Sequence, residues 1–359
     1  MELKSQYMRT EEKVIFALRE LYTKYGYTQF KMSKFEEYDL YVRNKDFLVS
    51  DSVITFNDTN GKLLALKPDV TLSIIKNSTD SENAVQKLYY NENVYRISKN
   101  THSFKEIMQT GLECIGDIGT YNICEVLTLA AKSLEAISEN YVLDISHMGL
   151  ISSVLEGIND ETKSLILKYI SEKNTHDIVA LCEKENIDSK TITELVSVNG
   201  TPKEIKEKLL KIDFGENCSA SLSEVFETAN ILENLPQSEH IHFDFSIIND
   251  MNYYSGIVFK GYIEGIPTGI LTGGRYDLLM NKMGKKNAAI GFAVYLDFLE
   301  RFMEETKEYD TDILLLYSET DSLSDVLKTV SALTSQGNRV LAEKSVPNGL
   351  KYKTLLRFE

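Results

Sequence analysis

The stretch between Phe243 and Phe298 constrains the fold of this chain more than any other. It contains the segments NDMNYYSGIVFKGY, LTGGRYDLLM and AAIGFAVYLDF, in that order. Apolar and aromatic runs that are interrupted by glycines are typical of strands joined by tight turns. The elements predicted here are strands at residues 242–245 and 256–263, a glycine-rich strand and turn at 269–274, and a helix at 293–304 that closes the main domain.

The first part of the chain combines helical and strand patterns. Apolar residues recur at helical spacing within residues 10–25, and Gly26 suits the end of that helix. Asp58-Thr59-Asn60-Gly61 provides the turn of a hairpin. The predicted elements that follow the first helix are a strand at 27–32, the hairpin at 52–66, a helix that starts near Asp69, strands at 87–98 and 105–117 around a polar loop at 99–103, and a helix at 122–138.

The character of the sequence changes between about residues 150 and 235, where charged segments carry apolar positions at helical spacing. Thr201-Pro202-Lys203-Glu204 is typical of a helix start, with Thr as the N-cap, Pro at N1 and Glu at N3. We predict a helical insertion within a main domain of residues 1–305, and a plain scaffold is the alternative interpretation of this insertion. The tail, residues 306–359, predicts a short α/β unit with one βαβ succession, formed by a strand at 312–318, a helix at 323–337 and a strand at 339–345.

The composition favours a cytoplasmic protein and disfavours broad binding to nucleic acid. The 54 acidic and 39 basic residues give a net charge of −15, whereas nucleic-acid binding needs clustered Lys and Arg. The four cysteines form no C-x-x-C pair, which predicts free thiols instead of a disulfide framework or a metal site. The N-terminal sequence is not that of a secretory signal, and no apolar run approaches the ~20 residues of a membrane helix.

Five motifs, KPDVT, NVYRIS, QTGLE, YYSG and GGRYD, occur in the order in which histidyl-tRNA synthetases carry them. The resemblance covers roughly residues 5–305. It implies an α+β fold of the class II aminoacyl-tRNA synthetase type, with an antiparallel sheet flanked by helices. It also implies a homodimer, and it predicts no cofactor and no metal. The tail is about half as long as a synthetase anticodon-binding domain.

The resemblance further implies a site for free histidine. Such a ligand needs anions near its ammonium, a cation or N–H donors near its carboxylate, and a polar partner for its ring. Asp69 and Thr71 of KPDVT match the residues that bind the amino group of histidine in the family. Arg96 of NVYRIS matches an arginine beside the histidine carboxylate. Glu113 matches the carboxylate that holds the imidazole, and glycines 273 and 274 let the backbone approach the ligand. The candidate histidine-binding residues are Asp69, Thr71, Arg96, Gln109, Glu113, Tyr253, Tyr254 and Gly273.

Each of these residues also has a structural interpretation. A carboxylate just before a helix is a common cap, and opposite charges on neighbouring strands often pair with each other. The alternatives are that Asp69 caps the following helix, that Arg96 and Glu113 form an ion pair, that one of Tyr253 and Tyr254 points into the core, and that Arg275 and Asp277 form a salt bridge that holds the turn.

Two cations of the synthetase pattern are absent. Asn249 stands where the family has an arginine between the histidine carboxylate and the α-phosphate, and Phe298 stands where it has an arginine on the ATP phosphates. Ser98 replaces a glutamate of the same pattern. Loss of one preorganised donor typically costs about 2.7–4 kcal/mol of transition-state stabilisation. Adenylate formation is therefore not expected, and no residue is assigned a catalytic role.

This pattern of losses resembles the synthetase-like regulatory subunits of ATP phosphoribosyltransferase. It implies a non-catalytic chain that partners the short-form catalytic subunit, responds to L-histidine as an effector and forms a homodimer within a hetero-oligomer. Two alternatives stay open, a divergent active histidyl-tRNA synthetase and a synthetase-like paralogue that senses an amino acid or binds tRNA. A regulatory histidine bound at the subunit interface, away from the candidate residues, is a further alternative.

Overall fold

The computed structural model describes residues 8–44, 53–80, 84–97, 103–248, 253–302 and 308–358. The chain divides into two compact units, Met1–Met303 and Glu304–Glu359. The helices are α1 (Thr10–Lys24), α2 (Tyr38–Arg43), α3 (Thr71–Asn77), α4 (Thr120–Glu135), α5 (Met148–Val154), α6 (Asp160–Ser171), α7 (Thr175–Glu185), α8 (Lys190–Ser197), α9 (Pro202–Leu209), α10 (Ser219–Leu232), α11 (Asp277–Lys282), α12 (Asp297–Phe302) and α13 (Leu323–Ser335). The strands are β1 (Thr28–Gln29), β2 (Phe35–Glu37), β3 (Thr55–Asn57), β4 (Leu63–Leu66), β5 (Gln86–Ile97), β6 (Phe104–Gly116), β7 (Tyr141–His147), β8 (Asn199–Gly200), β9 (Ile241–Asp244), β10 (Ile257–Ile263), β11 (Leu271–Arg275), β12 (Ala288–Tyr295), β13 (Thr311–Leu316), β14 (Val340–Glu343) and β15 (Tyr352–Arg357).

A nine-stranded sheet forms the centre of the first unit, in the order β1-β5-β6-β12-β11-β10-β7-β9-β8. Its inner pairs are antiparallel, whereas β1 with β5 and β7 with β9 are parallel. The predicted α+β class, with an antiparallel sheet flanked by helices, is confirmed. The two longest strands, β5 and β6, pair along nearly their whole length and carry two of the five motifs, NVYRIS (as far as Ile97) on β5 and QTGLE on β6.

Helices α1 and α4 cover one face of this sheet. Tyr22 of α1 packs edge-to-face on Phe292 of β12, with ring centroids 6.0 Å apart, and its hydroxyl lies 3.0 Å from Oγ of Ser133 in α4. Leu134 of α4 lies so close to Gly261 of β10 that a Cβ there would come within 2.6 Å of its side chain. This face is a continuous apolar core, whereas the opposite face carries a smaller apolar cluster together with the buried polar side chains of Gln109 and Glu113.

The helix predicted for residues 293–304 is wrong. Strand β12 continues to Tyr295, and helix α12 begins only at Asp297. Strand β12 is hydrogen-bonded on both sides, to β6 and to β11, and most of its residues are buried. A short apolar run such as AAIGFAVY fits a central strand and a buried helix equally well, because periodicity alone does not separate the two.

Helices α5 to α10 lie between β7 and β9 in the chain, where the sequence predicts a helical insertion. Helix α9 begins at Pro202, and its first turn is closed by the Glu204 carboxylate, which accepts from the Thr201 backbone N–H at 3.3 Å. An ion pair of 2.7 Å between Lys173 Nζ and Asp244 Oδ2 ties the insertion to the end of β9.

The second unit is a three-stranded parallel sheet in the order β14-β13-β15, with α13 between β13 and β14 in the chain. The sequence predicts only the strand, helix and strand of one βαβ succession, and it misses β15. Leu355 and Leu356 are adjacent and both exposed, so β15 lacks the period-two alternation that identifies a half-buried strand. Within the described ranges of both units, no helix is long and apolar enough to span a bilayer.

Candidate functional site

The sheet register places Glu113 in a row with two glycines, on the face away from α1 and α4. Glu113 of β6 pairs with Gly291 of β12, and Gly291 pairs with Gly274 of β11. A Cβ at Gly291 would lie 1.8 Å from Glu113 Oε2, and a Cβ at Gly274 would lie 2.6 Å from the ring of Tyr254. The two glycines therefore form a floor, on which the Glu113 carboxylate and the Tyr254 ring lie directly against the backbone.

Glu113 is the centre of a buried hydrogen-bond cluster. Its side chain is only 2% exposed, and its two oxygens accept from the hydroxyls of Thr71 and Tyr276, at 2.8 Å and 2.5 Å. Burial raises the pKa of Glu113 to about 8, the hydroxyl bonds oppose the rise, and the Asp69 charge adds to it. The cluster joins β6 with the first turn of α3 and with the residue that precedes α11.

Asp69 and Arg96 lie next to this cluster. The Leu72 backbone N–H donates to Asp69 Oδ1 at 2.9 Å, so the capping role that was the alternative for Asp69 is confirmed. Arg96 donates through Nε to the Pro68 carbonyl at 2.9 Å. Burial raises the pKa of Asp69, whereas the Leu72 N–H and the Arg96 charge act to lower it. Among the described residues, no ion pair joins Arg96 to Glu113, so that alternative is wrong.

Gln109 lies on the same face as Glu113, between Glu92 of β5 and Tyr295 of β12. It is 3% exposed, and its Nε2 has no hydrogen-bond partner among the described residues. A buried amide N–H without a partner is costly, and a carboxylate is the acceptor that satisfies it best. Gln109 therefore offers a ready donor to a ligand.

Lys67, the first residue of KPDVT, is part of the site and was missed by the sequence analysis. Its side chain is fully buried, and Nζ lies 2.8 Å from Glu92 Oε2. Burial lowers the pKa of Lys67, and the hydrogen bond to Glu92 opposes that. The position of the lysine in a candidate motif was the available signal, but only the register of β5 shows that Glu92 receives it.

Three tyrosine rings line the cluster. The ring centroids of Tyr253 and Tyr254 are 4.6 Å apart, and those of Tyr253 and Tyr276 are 5.9 Å apart. Burial raises the pKa of Tyr253 well above its usual value, with the Asp69 and Glu113 charges adding to the rise and the Thr71 hydrogen bond opposing it. A fourth ring, Tyr90, was also missed, and its hydroxyl lies 2.6 Å from where Gly111 would carry a Cβ.

The structure does not bring Gly273 to this floor. Gly273 pairs with Phe292 in the helix-covered face, and a Cβ there would meet the Phe259 ring at 2.5 Å. Gly274 is the glycine on the site's side. Arg275 and Asp277 form an ion pair of 2.8 Å, so the structural interpretation of that pair is confirmed.

Phe298, the second residue of α12, occupies the position at which the synthetase pattern has an arginine. Its ring lies 6.2 Å from that of Tyr295, edge to face, and it packs against the main apolar core. This position offers a phosphate no charge and no donor. Asn249 and Ser98, the other two departures from the pattern, lie outside the described residues. The described residues contain no group of three or more potential metal ligands.

The sheet, its glycine floor and the carboxylate site on it define a protein of the class II aminoacyl-tRNA synthetase type. Residues 1–299 match the family model described as Histidyl-tRNA synthetase. An ATP phosphoribosyltransferase regulatory subunit from Caldanaerobacter subterraneus is 32% identical over 289 residues, which are 78% of this chain and 75% of the relative. The chain therefore belongs to the histidyl-tRNA synthetase family and, within it, to the ATP phosphoribosyltransferase regulatory subunits.

Two solved structures share the fold. The crystal structure of an ATP phosphoribosyltransferase regulatory subunit/histidyl-tRNA synthetase from Bacillus halodurans matches with a TM-score of 0.76 and 21% identity, over 99% of both chains. A chain of the ATP phosphoribosyl transferase (HisG:HisZ) complex from Thermotoga maritima matches with a TM-score of 0.64 and 19% identity, over 82% of this chain and 98% of that one.

Proposed function

We propose that this chain is a non-catalytic regulatory subunit of an ATP phosphoribosyltransferase in histidine biosynthesis. It binds the short-form catalytic subunit, is needed for that subunit's activity and carries the feedback by L-histidine. The reaction of ATP with phosphoribosyl pyrophosphate takes place on the catalytic partner. One observation carries the proposal: the polar site around Glu113 is intact, while Phe298 stands where a synthetase needs a cation on the phosphates.

The candidate site has a complementary group for each part of histidine. Glu113 faces the imidazole, because among Glu92, Asp69 and Glu113 it is the carboxylate on which no positive charge acts. Asp69 and the Thr71 hydroxyl receive the ammonium, and Arg96 with the free Gln109 Nε2 receives the carboxylate. Arg96 and Gln109 are both on the polar face of the β5–β6 pair, whose register supports this assignment.

Feedback requires that histidine has different affinities for two states of the complex. In this proposal, bound histidine favours the less active arrangement of a hetero-oligomer that contains a homodimer of this chain. The four cysteines are free and buried, which supports a location in the reducing cytoplasm.

The test is to measure formation of phosphoribosyl-ATP by the short catalytic subunit, with and without this chain and L-histidine. We expect activity to need the chain, inhibition by histidine in the wild-type complex, and loss of that inhibition in Glu113→Ala. Glu207→Ala, an exposed residue of α9, is the matched control and should remain inhibited. A catalytic subunit that neither binds the chain nor changes its rate would contradict the proposal.

Two further assays separate this function from the alternatives. Without cations at positions 249 and 298, histidine-dependent ATP–pyrophosphate exchange is expected to be absent. With a net charge of −15, a shift of tRNA in a gel at physiological salt is also not expected. If histidine still inhibits the Glu113→Ala complex, the effector binds elsewhere, and the regulatory role stands without this site.

A further inference from the structure

On the polar face of the sheet, Glu113 is a carboxylate without a positively charged partner among the described residues. Lys67 is paired with Glu92 at 2.8 Å, and the charge of Arg96 acts on Asp69. Glu113 receives only the hydroxyls of Thr71 and Tyr276, and no Lys or Arg in the described ranges makes an ion pair with it. Glu113 is thus a buried carboxylate whose neighbouring charge is that of another carboxylate, Asp69.

A buried carboxyl group without a cation keeps its proton to a higher pH than usual. The groups that face Glu113 are the Thr71 hydroxyl from α3, the Tyr276 hydroxyl, the phenols of Tyr90 and Tyr253, and the Asp69 carboxylate. Hydroxyls donate as well as accept, so either of its two hydrogen bonds can turn around when Glu113 is protonated. Burial raises the pKa of Glu113 to about 8, in agreement with this charge count.

We propose that the histidine complex holds one proton between the Glu113 carboxylate and the imidazole ring, and that the empty site brings this proton itself near neutral pH. This inference rests on the proposed function. Near pH 7 the protonated Glu113 meets a neutral ring, the proton passes to or is shared with a ring nitrogen, and no proton is exchanged with solvent. The products are a carboxylate and an imidazolium in contact, or the equivalent neutral pair.

Outside that range the proton count must change on binding. Below about pH 6.5, the usual pKa of an imidazole, ring and site each carry a proton, and one is released. Above the pH at which empty Glu113 ionises, neither carries one, and one is taken up from solvent. Affinity for histidine should therefore be highest between these limits, and it should fall about tenfold for each further pH unit.

The test is calorimetric titration of the complex with L-histidine, in two buffers of different ionisation enthalpy, at about pH 7 and about pH 9. The dependence of the observed heat on the buffer counts the protons exchanged. We expect the wild type to take up about one more proton at pH 9 than at pH 7. The side chain of the Glu113→Gln variant cannot ionise, so its proton uptake at about pH 9 should come only from the amino group of the ligand. That contribution is the same for both proteins and cancels when their proton uptake is compared.

Equal proton uptake by the wild type and Glu113→Gln at about pH 9 would overturn the inference. If Glu113→Gln does not bind, Tyr276→Phe serves in its place. It removes a hydrogen bond that lowers the pKa of Glu113, so proton uptake should begin at a higher pH, and an unchanged onset would contradict us. Histidine binding without this extra proton uptake at about pH 9 rejects this inference alone, whereas a complex that binds no histidine at any pH rejects the proposed site as well.

Discussion

At the scale of single residues, Glu113 makes the stability of the empty protein depend on pH. Its pKa is about 8 in the folded chain against 4.5 for an exposed carboxyl group. Between these values the folded state binds a proton that the unfolded state does not, so stability falls as pH rises. The contribution of Glu113 is complete below about pH 4.5 and is lost as pH rises through about 8.

Glu113→Gln should therefore remove part of the pH dependence. Between about pH 6 and 8, the unfolding free energy of the wild type should fall by roughly 2 kcal/mol more than that of the variant. Urea unfolding at the two pH values measures this difference. Glu207→Gln, at an exposed position, should follow the wild type. Parallel pH profiles for wild type and Glu113→Gln would show that Glu113 ionises normally.

Gly291 is where a single methyl group should disturb the site. A Cβ there would overlap Glu113 Oε2 at 1.8 Å and the Leu112 carbonyl at 2.4 Å, and the carbonyl belongs to the backbone and cannot turn aside. We expect Gly291→Ala to lower the unfolding free energy by about 1–3 kcal/mol and to weaken histidine binding at least tenfold. Gly119→Ala, where nothing lies within 4 Å, is the control, and an equal effect of both variants would contradict this account.

The sequence predicts part of this site because the residue types in its motifs have functional groups that bind an amino acid. Asp69, Thr71 and Glu113 are the groups that an amino acid needs, and the structure brings them together. Tyr276 was not predicted, since its role depends on a contact with Glu113 across 163 positions of the chain. Gly273 was preferred to Gly274 for a similar reason, because only the register of β11 shows which of two adjacent glycines faces the floor.

At the scale of elements, the sequence predicts those that form through neighbouring residues. It fails for strands whose identity depends on partners that are distant in the chain. The hairpin of β3 and β4 follows from its own turn, where the Asp58 carboxylate accepts from the backbone N–H of Asn60 and of Lys62. Strand β12 was predicted as a helix because its identity comes from β6 and β11, which lie far away in sequence. The same holds for β15, whose partner β13 begins 41 positions earlier.

The junction of the insertion with the sheet depends on a second polar cluster. His147, the N-cap of α5, accepts the Leu150 N–H at Nδ1, so its proton lies on Nε2, which is 3.6 Å from Glu224 Oε1 of α10. Arg275 Nη1 lies 3.9 Å from the same oxygen. The nearby His147 side chain contributes most to the lowered pKa of Glu224, although the 3.6 Å separation is longer than a hydrogen bond. One carboxylate thus joins the first and last helices of the insertion to β11.

Glu224→Ala should remove the carboxylate that lies nearest to His147 Nε2–H and to the Arg275 Nη1 group. We expect a loss of about 1–3 kcal/mol of unfolding free energy, measured by urea unfolding. Glu227→Ala removes a carboxylate from an exposed position of the same helix and should change stability by less than about 0.5 kcal/mol. A loss in Glu224→Ala that is no larger than in Glu227→Ala would mean that the cluster contributes nothing to the attachment of α10.

At the scale of the whole molecule, the two units differ in what they contribute to the proposed sensor. Every candidate histidine-binding residue, from Asp69 to Gly273, belongs to the unit Met1–Met303. The second unit has its own sheet, and an ion pair of 2.9 Å joins Asp312 of β13 to Arg339, the residue before β14. The family match likewise ends at residue 299. The proposed histidine site therefore lies entirely within the first unit.

A chain that ends at residue 303 should consequently bind L-histidine with an affinity within about threefold of the full chain. The physical reason is that the deletion removes no candidate residue and no strand of the nine-stranded sheet. Calorimetric titration measures the affinity, and the circular dichroism of both chains verifies that the shortened one is folded. The same shortened chain, carrying Glu113→Ala, is the control that should not bind. If the shortened chain is folded but binds histidine more than tenfold more weakly, residues 304–359 contribute to the histidine site or stabilise its conformation.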